Sequence, residues 1–153
     1  MDGASVPAAD APLHLRIPPD AKFGRYVRER VAGFTTANAI PDDTAEEFIT
    51  AIGEALANAI EHGCCTDDIE IACRLTSDKV LTACVTDRGI GFDAAARPVL
   101  EFDPLTERGR GLPIMRQYTD HLKVESRPGQ GTSVTLARNV RCFTQHDLEH
   151  AAG

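Results

Sequence analysis

The sequence predicts an α/β sandwich, a mixed and mostly antiparallel sheet with helices on one face. Three observations carry this reading. Alternating apolar runs come in neighbouring pairs, residues 69–75 with 80–86 and residues 122–126 with 132–137, each pair joined by turn residues. Two long helical patterns sit together between a lone first strand pattern and the first of those pairs. The composition, 42% hydrophobic and 25% charged over 153 residues, is that of one ordinary globular domain with a core of its own.

The elements follow in order. Residues 1–12 are rich in Ala, Asp and Pro and read as a flexible leader. Leu13-His14-Leu15-Arg16-Ile17 alternates as a half-buried strand does. From 21 to 39, Phe23, Tyr26, Val27, Val31 and Phe34 recur at helical spacing, and Pro41 breaks the chain. Asp42 or Asp43 offers an N-cap for a helix over 44–62, with Glu46 and Glu47 in its first turn and Phe48, Ile49, Ile52, Ala55, Leu56, Ala59 and Ile60 on one apolar face. Thr76-Ser77-Asp78-Lys79 turns the first hairpin. A short helical pattern spans 112–118, and Arg127-Pro128-Gly129-Gln130-Gly131 turns the second hairpin. The domain is expected over 13–138, with a weakly patterned tail over 139–153.

Several function classes are excluded by composition. A net charge of −7 speaks against a direct nucleic-acid binder, whose surface should be basic. No stretch approaches the roughly 20 apolar residues of a membrane span. Residues 1–12 have neither a basic nor an apolar segment of signal-peptide type, so a cytoplasmic protein is expected. The five cysteines (Cys64, Cys65, Cys73, Cys84 and Cys142) are odd in number and lack CxxC spacing, as expected of reduced thiols. His146 and His150 lack a third metal ligand.

Four segments bear groups suited to chemistry. Glu54, Asn58 and His62 fall at i, i+4 and i+8, one polar stripe expected roughly opposite the apolar face. A carboxylate there can take a proton, and a carboxamide oxygen can ligate Mg²⁺. Asp87-Arg88-Gly89-Ile90-Gly91 follows a strand directly. Its glycines permit a close backbone approach to a flat ligand, and the aspartate can accept from an exocyclic amine. It opens no long helix, so it is not a dinucleotide fingerprint, and no Gly-Lys-Ser/Thr makes it a P-loop. Gly109-Arg110-Gly111-Leu112 leads into a helix, where free amides together with Arg108 and Arg110 could meet phosphate. Gly131-Thr132 opens the last strand.

Taken in order, these segments resemble the ATP-binding domain shared by gyrase, heat-shock chaperones, histidine kinases and MutL (the GHKL or Bergerat fold). The branch they are most similar to is that of the bacterial anti-sigma factor serine/threonine kinases, through Glu54 at the head of the first box and Gly109-Arg-Gly-Leu-Pro-Ile-Met115 in the third. The resemblance implies ATP and Mg²⁺ as cofactors. It implies Asn58 as the Mg²⁺ ligand, Glu54 as general base, Asp87 at the adenine amino group, and Gly89 and Gly91 lining the base pocket. Gly109, Gly111 and Leu112 would lie at the phosphates, Thr132 near the adenine, and residues 93–108 in a short lid. It further implies a homodimer, a STAS-domain anti-anti-sigma factor phosphorylated on serine, and a sequestered sigma factor. The alternative is a non-catalytic ATP-binding regulator that sequesters a protein partner, to which Glu54 would be of no use. A histidine kinase fragment would need a phospho-accepting helical hairpin upstream, and a gyrase- or MutL-like ATPase a transducer domain downstream.

Overall fold

Leu13–Ile17 forms the first strand, β1, with Leu13, Leu15 and Ile17 buried and His14 and Arg16 exposed. That alternation is the signature of a sheet covered on one face. The computed structural model describes residues 11–62, 67–91 and 111–140. After β1 the Asp20 carboxylate accepts from the Lys22 amide at 3.0 Å and caps a short 3-10 turn, Ala21–Phe23. This runs into α1, Gly24–Ala37.

The next helix, α2, spans Asp42–His62 and starts two residues before the expected position. The reason lies in Pro41, whose carbonyl accepts the Ala45 N–H at 2.8 Å. Proline has no N–H, and a helix start needs none. Asp42 and Asp43 therefore lie inside the first turn, where the dipole still favours their charge.

The strands β2 (Ile69–Leu75) and β3 (Val80–Asp87) form the expected hairpin, followed by α3 (Gly111–Gln117), β4 (His121–Ser126) and β5 (Thr132–Asn139). The sheet order is β1-β2-β3-β5-β4. Every described pairing is antiparallel, so the mostly antiparallel sheet expected from sequence is wholly so among the described residues. Two helices between β1 and β2 return the chain in the opposite direction, which makes those neighbours antiparallel. β5 folds back from β4 and inserts beside β3. The two hairpins thus share one seam, with Val80 opposite Asn139 at one end and Asp87 opposite Thr132 at the other.

The inward rows of the sheet meet the helices in a single core. Ile69, Ile71, Leu81, Val85 and Leu136 join Val27 and Val31 of α1, Phe48 and Ile52 of α2, and Met115 of α3. Arg138 of β5 fastens the helices at the sheet end remote from Asp87. Its guanidinium donates to the Tyr118 carbonyl at 3.0 Å, just beyond α3, and lies 2.7 Å from the Glu47 carboxylate of α2.

Candidate functional site

The site is built at the end of the seam. β3 runs one residue further than its apolar pattern, ending on Asp87. Asp87 shares its parity with Leu81, Ala83 and Val85, so it faces the helix-covered side and is only 7% exposed. Its carboxylate accepts the Gly89 N–H at 2.8 Å. Burial pushes its pKa above the ordinary aspartate value, and the backbone amides of Gly89 and Thr132 pull against that rise without cancelling it. A buried acid supported mainly by backbone amides retains acceptor capacity for a ligand.

Thr132 stands opposite Asp87, and Ser126 opposite Thr132, so the three form one row across β3, β5 and β4. The Ser126 and Thr132 hydroxyls lie 2.8 Å apart. The row opens into a cavity of about 510 Å³ whose lining includes Asp87, Ser126, Arg127, Gly131 and Thr132. That size falls within the range of small-molecule sites, roughly 300–1,000 Å³.

Two glycines allow the loop after β3 to lie directly on the β4–β5 turn. Gly91 has φ 64° and Gly131 has φ 80°. A methyl group on Gly91 would sit 2.1 Å from the Arg127 carbonyl oxygen, and one on Gly131 would sit 2.1 Å from that of Asp87. The Gly129 amide completes the contact by donating to the Ile90 carbonyl at 2.6 Å. At the base of the loop Arg88 reaches back to Glu70 on β2 at 3.4 Å.

A pair of substitutions tests this contact. Gly129 also has positive φ (78°), but a methyl group there meets nothing within 4 Å. Gly129→Ala should therefore cost only its backbone strain, about 1 kcal/mol. Gly131→Ala adds a backbone collision and is expected to cost about 2 kcal/mol or more. Urea denaturation of both variants reads the difference; equal losses would exclude the close approach as its source.

On α2 the polar stripe is not where the sequence placed it. Glu54 is half-buried and Asn58 is buried at 9% exposure, beside buried Ala55 and Ala59. The stripe thus runs along the margin of the packed face rather than opposite it, because α2 is covered by both the sheet and α3. The Asn58 Nδ2 is buried without a hydrogen-bond partner. An unpaired buried N–H costs about 1–3 kcal/mol, but it is a donor and does not itself point to a cation. The fit of Asn58 to Mg²⁺ rests on the Oδ1 of the same side chain, a hard oxygen of the type that ion selects.

Gly111 and Leu112 open α3. Arg108, Gly109, Arg110, the expected lid over 93–108 and the tail from 141 lie outside the described residues, as does the His62 side chain. Of the loop's two glycines, Gly89 and Gly91, it is Gly91 that has positive φ. Cys73 is buried, which pushes its thiol up to about 12 and leaves it unreactive at neutral pH. No helix among the described residues is long and apolar enough to cross a membrane.

Sequence reasoning did not include Ser126 among the site residues. It could have been found by counting. A five-residue turn over 127–131 sets Ser126 opposite Thr132, and Thr132 pairs with the last residue of β3.

The antiparallel sheet, the helices packed on it and the buried acid at the end of a central strand frame a ligand-sized cavity at the end of the seam. Residues 17–138 match the histidine kinase-like ATPase domain, and the chain belongs to that family, with which ATP binding goes. Its relatives include the anti-sigma F factor of Geobacillus thermodenitrificans, 31% identical over 134 residues that cover 84% of this chain and 92% of that one. The anti-sigma F factor of Priestia megaterium is 33% identical over 122 residues, covering 75% and 83%. A Mycobacterium tuberculosis structure containing RsbU and RsbW domains superposes with a TM-score of 0.67 at 24% identity; the match covers 88% of this chain and 35% of that longer one. The histidine kinase domain of an Erythrobacter litoralis blue-light activated kinase superposes at 0.55 with 20% identity, covering 90% and 66%. At these identities the two structures bear on the fold alone.

Proposed function

We propose that the protein is a serine/threonine kinase and anti-sigma factor in a partner-switching system. It phosphorylates a serine on a STAS-domain anti-anti-sigma factor and sequesters a sigma factor as a cytoplasmic homodimer. The observation that carries the nucleotide half is Asp87, a buried carboxylate opening into a cavity of ligand size. The similarity to anti-sigma F factors supports the partners.

The chain's own residues have these tasks. Asp87 accepts from the adenine amino group. Gly89 and Gly91 let the loop lie flat beside the base, with Thr132 next to it. Asn58 holds Mg²⁺, which when bound neutralises phosphate charge. Backbone amides at Gly109, Gly111 and Leu112, with Arg108 and Arg110, hold the phosphate chain. Glu54, one turn before Asn58, takes the proton from the incoming serine hydroxyl as its oxygen bonds to the γ-phosphorus and ADP leaves. Positioning and charge neutralisation supply most of the acceleration in such a transfer.

The direct test is to capture the protein with its cellular partner, add MgATP and read the partner's intact mass. A gain of one phosphate on a serine is expected. ATP binding without transfer would favour the non-catalytic regulator instead. The metal assignment has its own test. Asn58→Ala should remove the Mg²⁺-dependent part of ATP affinity, measured by calorimetry with and without chelator, while the melting temperature holds. Metal dependence equal to wild type would exclude Asn58 as the ligand.

A further inference from the structure

The two flanks of Glu54 on α2 are unlike. At about 100° per residue, Ala51, Ala55 and Asn58 fall to one side of it, and Thr50, Gly53 and Ala57 to the other. The first three are buried. Of the second three, Thr50 and Ala57 are exposed and Gly53 is half-buried. Gly53 itself calls for a reason. It stands in the middle of a 21-residue helix, where glycine is less favourable than alanine. Its φ is not positive, so the backbone does not demand glycine. Packing does not demand it either, since a methyl group there would meet nothing within 4 Å among the described residues.

We propose that Gly53 forms the floor of the acceptor site: the main chain of the partner's serine-bearing segment rests on α2 there, which lets the serine hydroxyl reach Glu54. The inference rests on the kinase reading above and adds the side from which the acceptor comes. In phosphoryl transfer the attacking and leaving oxygens lie roughly in line. That reading gives the phosphates to the Asn58 side of Glu54, so the serine arrives over the open flank. A serine hydroxyl is one carbon from its main chain, and a general base must come within about 2.6–3.2 Å of it. The acceptor backbone therefore has to settle close to α2, where a side chain in place of Gly53 would hold it off.

The variants Gly53→Ala, Gly53→Leu and Gly33→Ala test this. Gly33 is a second helix-interior glycine with open space around it, exposed on α1, and serves as the control. Alanine and leucine form helix better than glycine. All three variants should therefore melt at or above the wild-type temperature, with ATP affinity by calorimetry unchanged. Single-turnover transfer to the STAS-domain protein that wild type phosphorylates should fall about tenfold in Gly53→Ala. It should fall about 100-fold in Gly53→Leu, as a displacement of about 1 Å at a reacting centre can cost. Gly33→Ala should transfer at the wild-type rate. A glycine kept for the flexibility of α2 would make Gly53→Ala and Gly53→Leu equally slow. Equal losses in those two, an equal loss in Gly33→Ala, wild-type transfer by Gly53→Leu, or a fall in ATP affinity that accounts for the slower transfer each overturns the proposal while the kinase reading stands. Wild type that transfers no phosphate overturns the kinase reading and the proposal with it.

Discussion

Glu54→Gln is expected to slow phosphoryl transfer by about 10²–10⁴-fold, the usual worth of a positioned general base, while ATP affinity and melting temperature stay close to wild type. The substitution keeps the size and the hydrogen-bonding atoms of the side chain and removes only its ability to take a proton. Glu54 sits half-buried on α2, one turn before the buried Asn58, so its backbone is fixed by the core packing of Phe48, Ile52 and Ala55 and does not depend on its charge. Single-turnover transfer to the partner, followed by intact mass, separates this from a binding defect. Transfer at the wild-type rate would remove Glu54 from the chemistry.

Asp87→Asn should weaken ATP binding by about 10- to 100-fold, as loss of a hydrogen bond to a charged acceptor does. The asparagine oxygen can keep the Gly89 amide, which the aspartate already holds at 2.8 Å. Its nitrogen then faces the base with protons where an acceptor stood. Stability should move the other way or not at all. Burial raises the Asp87 pKa, so the folded state holds this proton more tightly than the unfolded chain does. The ionised carboxylate therefore costs stability at neutral pH, and the cost fades as pH falls through the raised folded value. Replacing it with a neutral amide should leave the melting temperature equal or slightly higher at pH 7. Nucleotide affinity has the opposite dependence. It needs the ionised acceptor and should decline on acidification at a higher pH than an exposed aspartate would give, with a flatter profile in the variant. Calorimetry and thermal denaturation over one pH series read both; unchanged affinity with unchanged stability would remove Asp87 from the base pocket.

Much of the architecture was legible because it rests on periodicity. The alternation of Leu13, Leu15 and Ile17 and the two hairpins with their turn residues gave strands within one or two residues of those observed. The helical pattern of α2 was equally plain, but its burial was not. Periodicity shows which face is most apolar; it does not show how wide a face neighbouring elements will cover. The small residues Ala55 and Ala59 let α3 and the sheet pack close around α2, and Asn58 went in with them. The Ser126–Thr132 pair was hidden for another reason. Neither residue is unusual in sequence, and their relation arises only from register across a turn, where one residue of slip would put Ser126 on the other face.

The seam between β3 and β5 bears on when the site comes into being. β2 with β3, and β4 with β5, are hairpins of local contacts, which form early at little loop-closure cost. Asp87 belongs to one and Thr132 to the other, and they meet only when these two pieces zip together across the 45 residues that separate them in sequence. The Asp87–Thr132 row is thus a product of the non-local step of folding. A half-folded chain carries both residues without bringing them together, so any ligand held by this row binds the finished sheet alone and stabilises it by mass action.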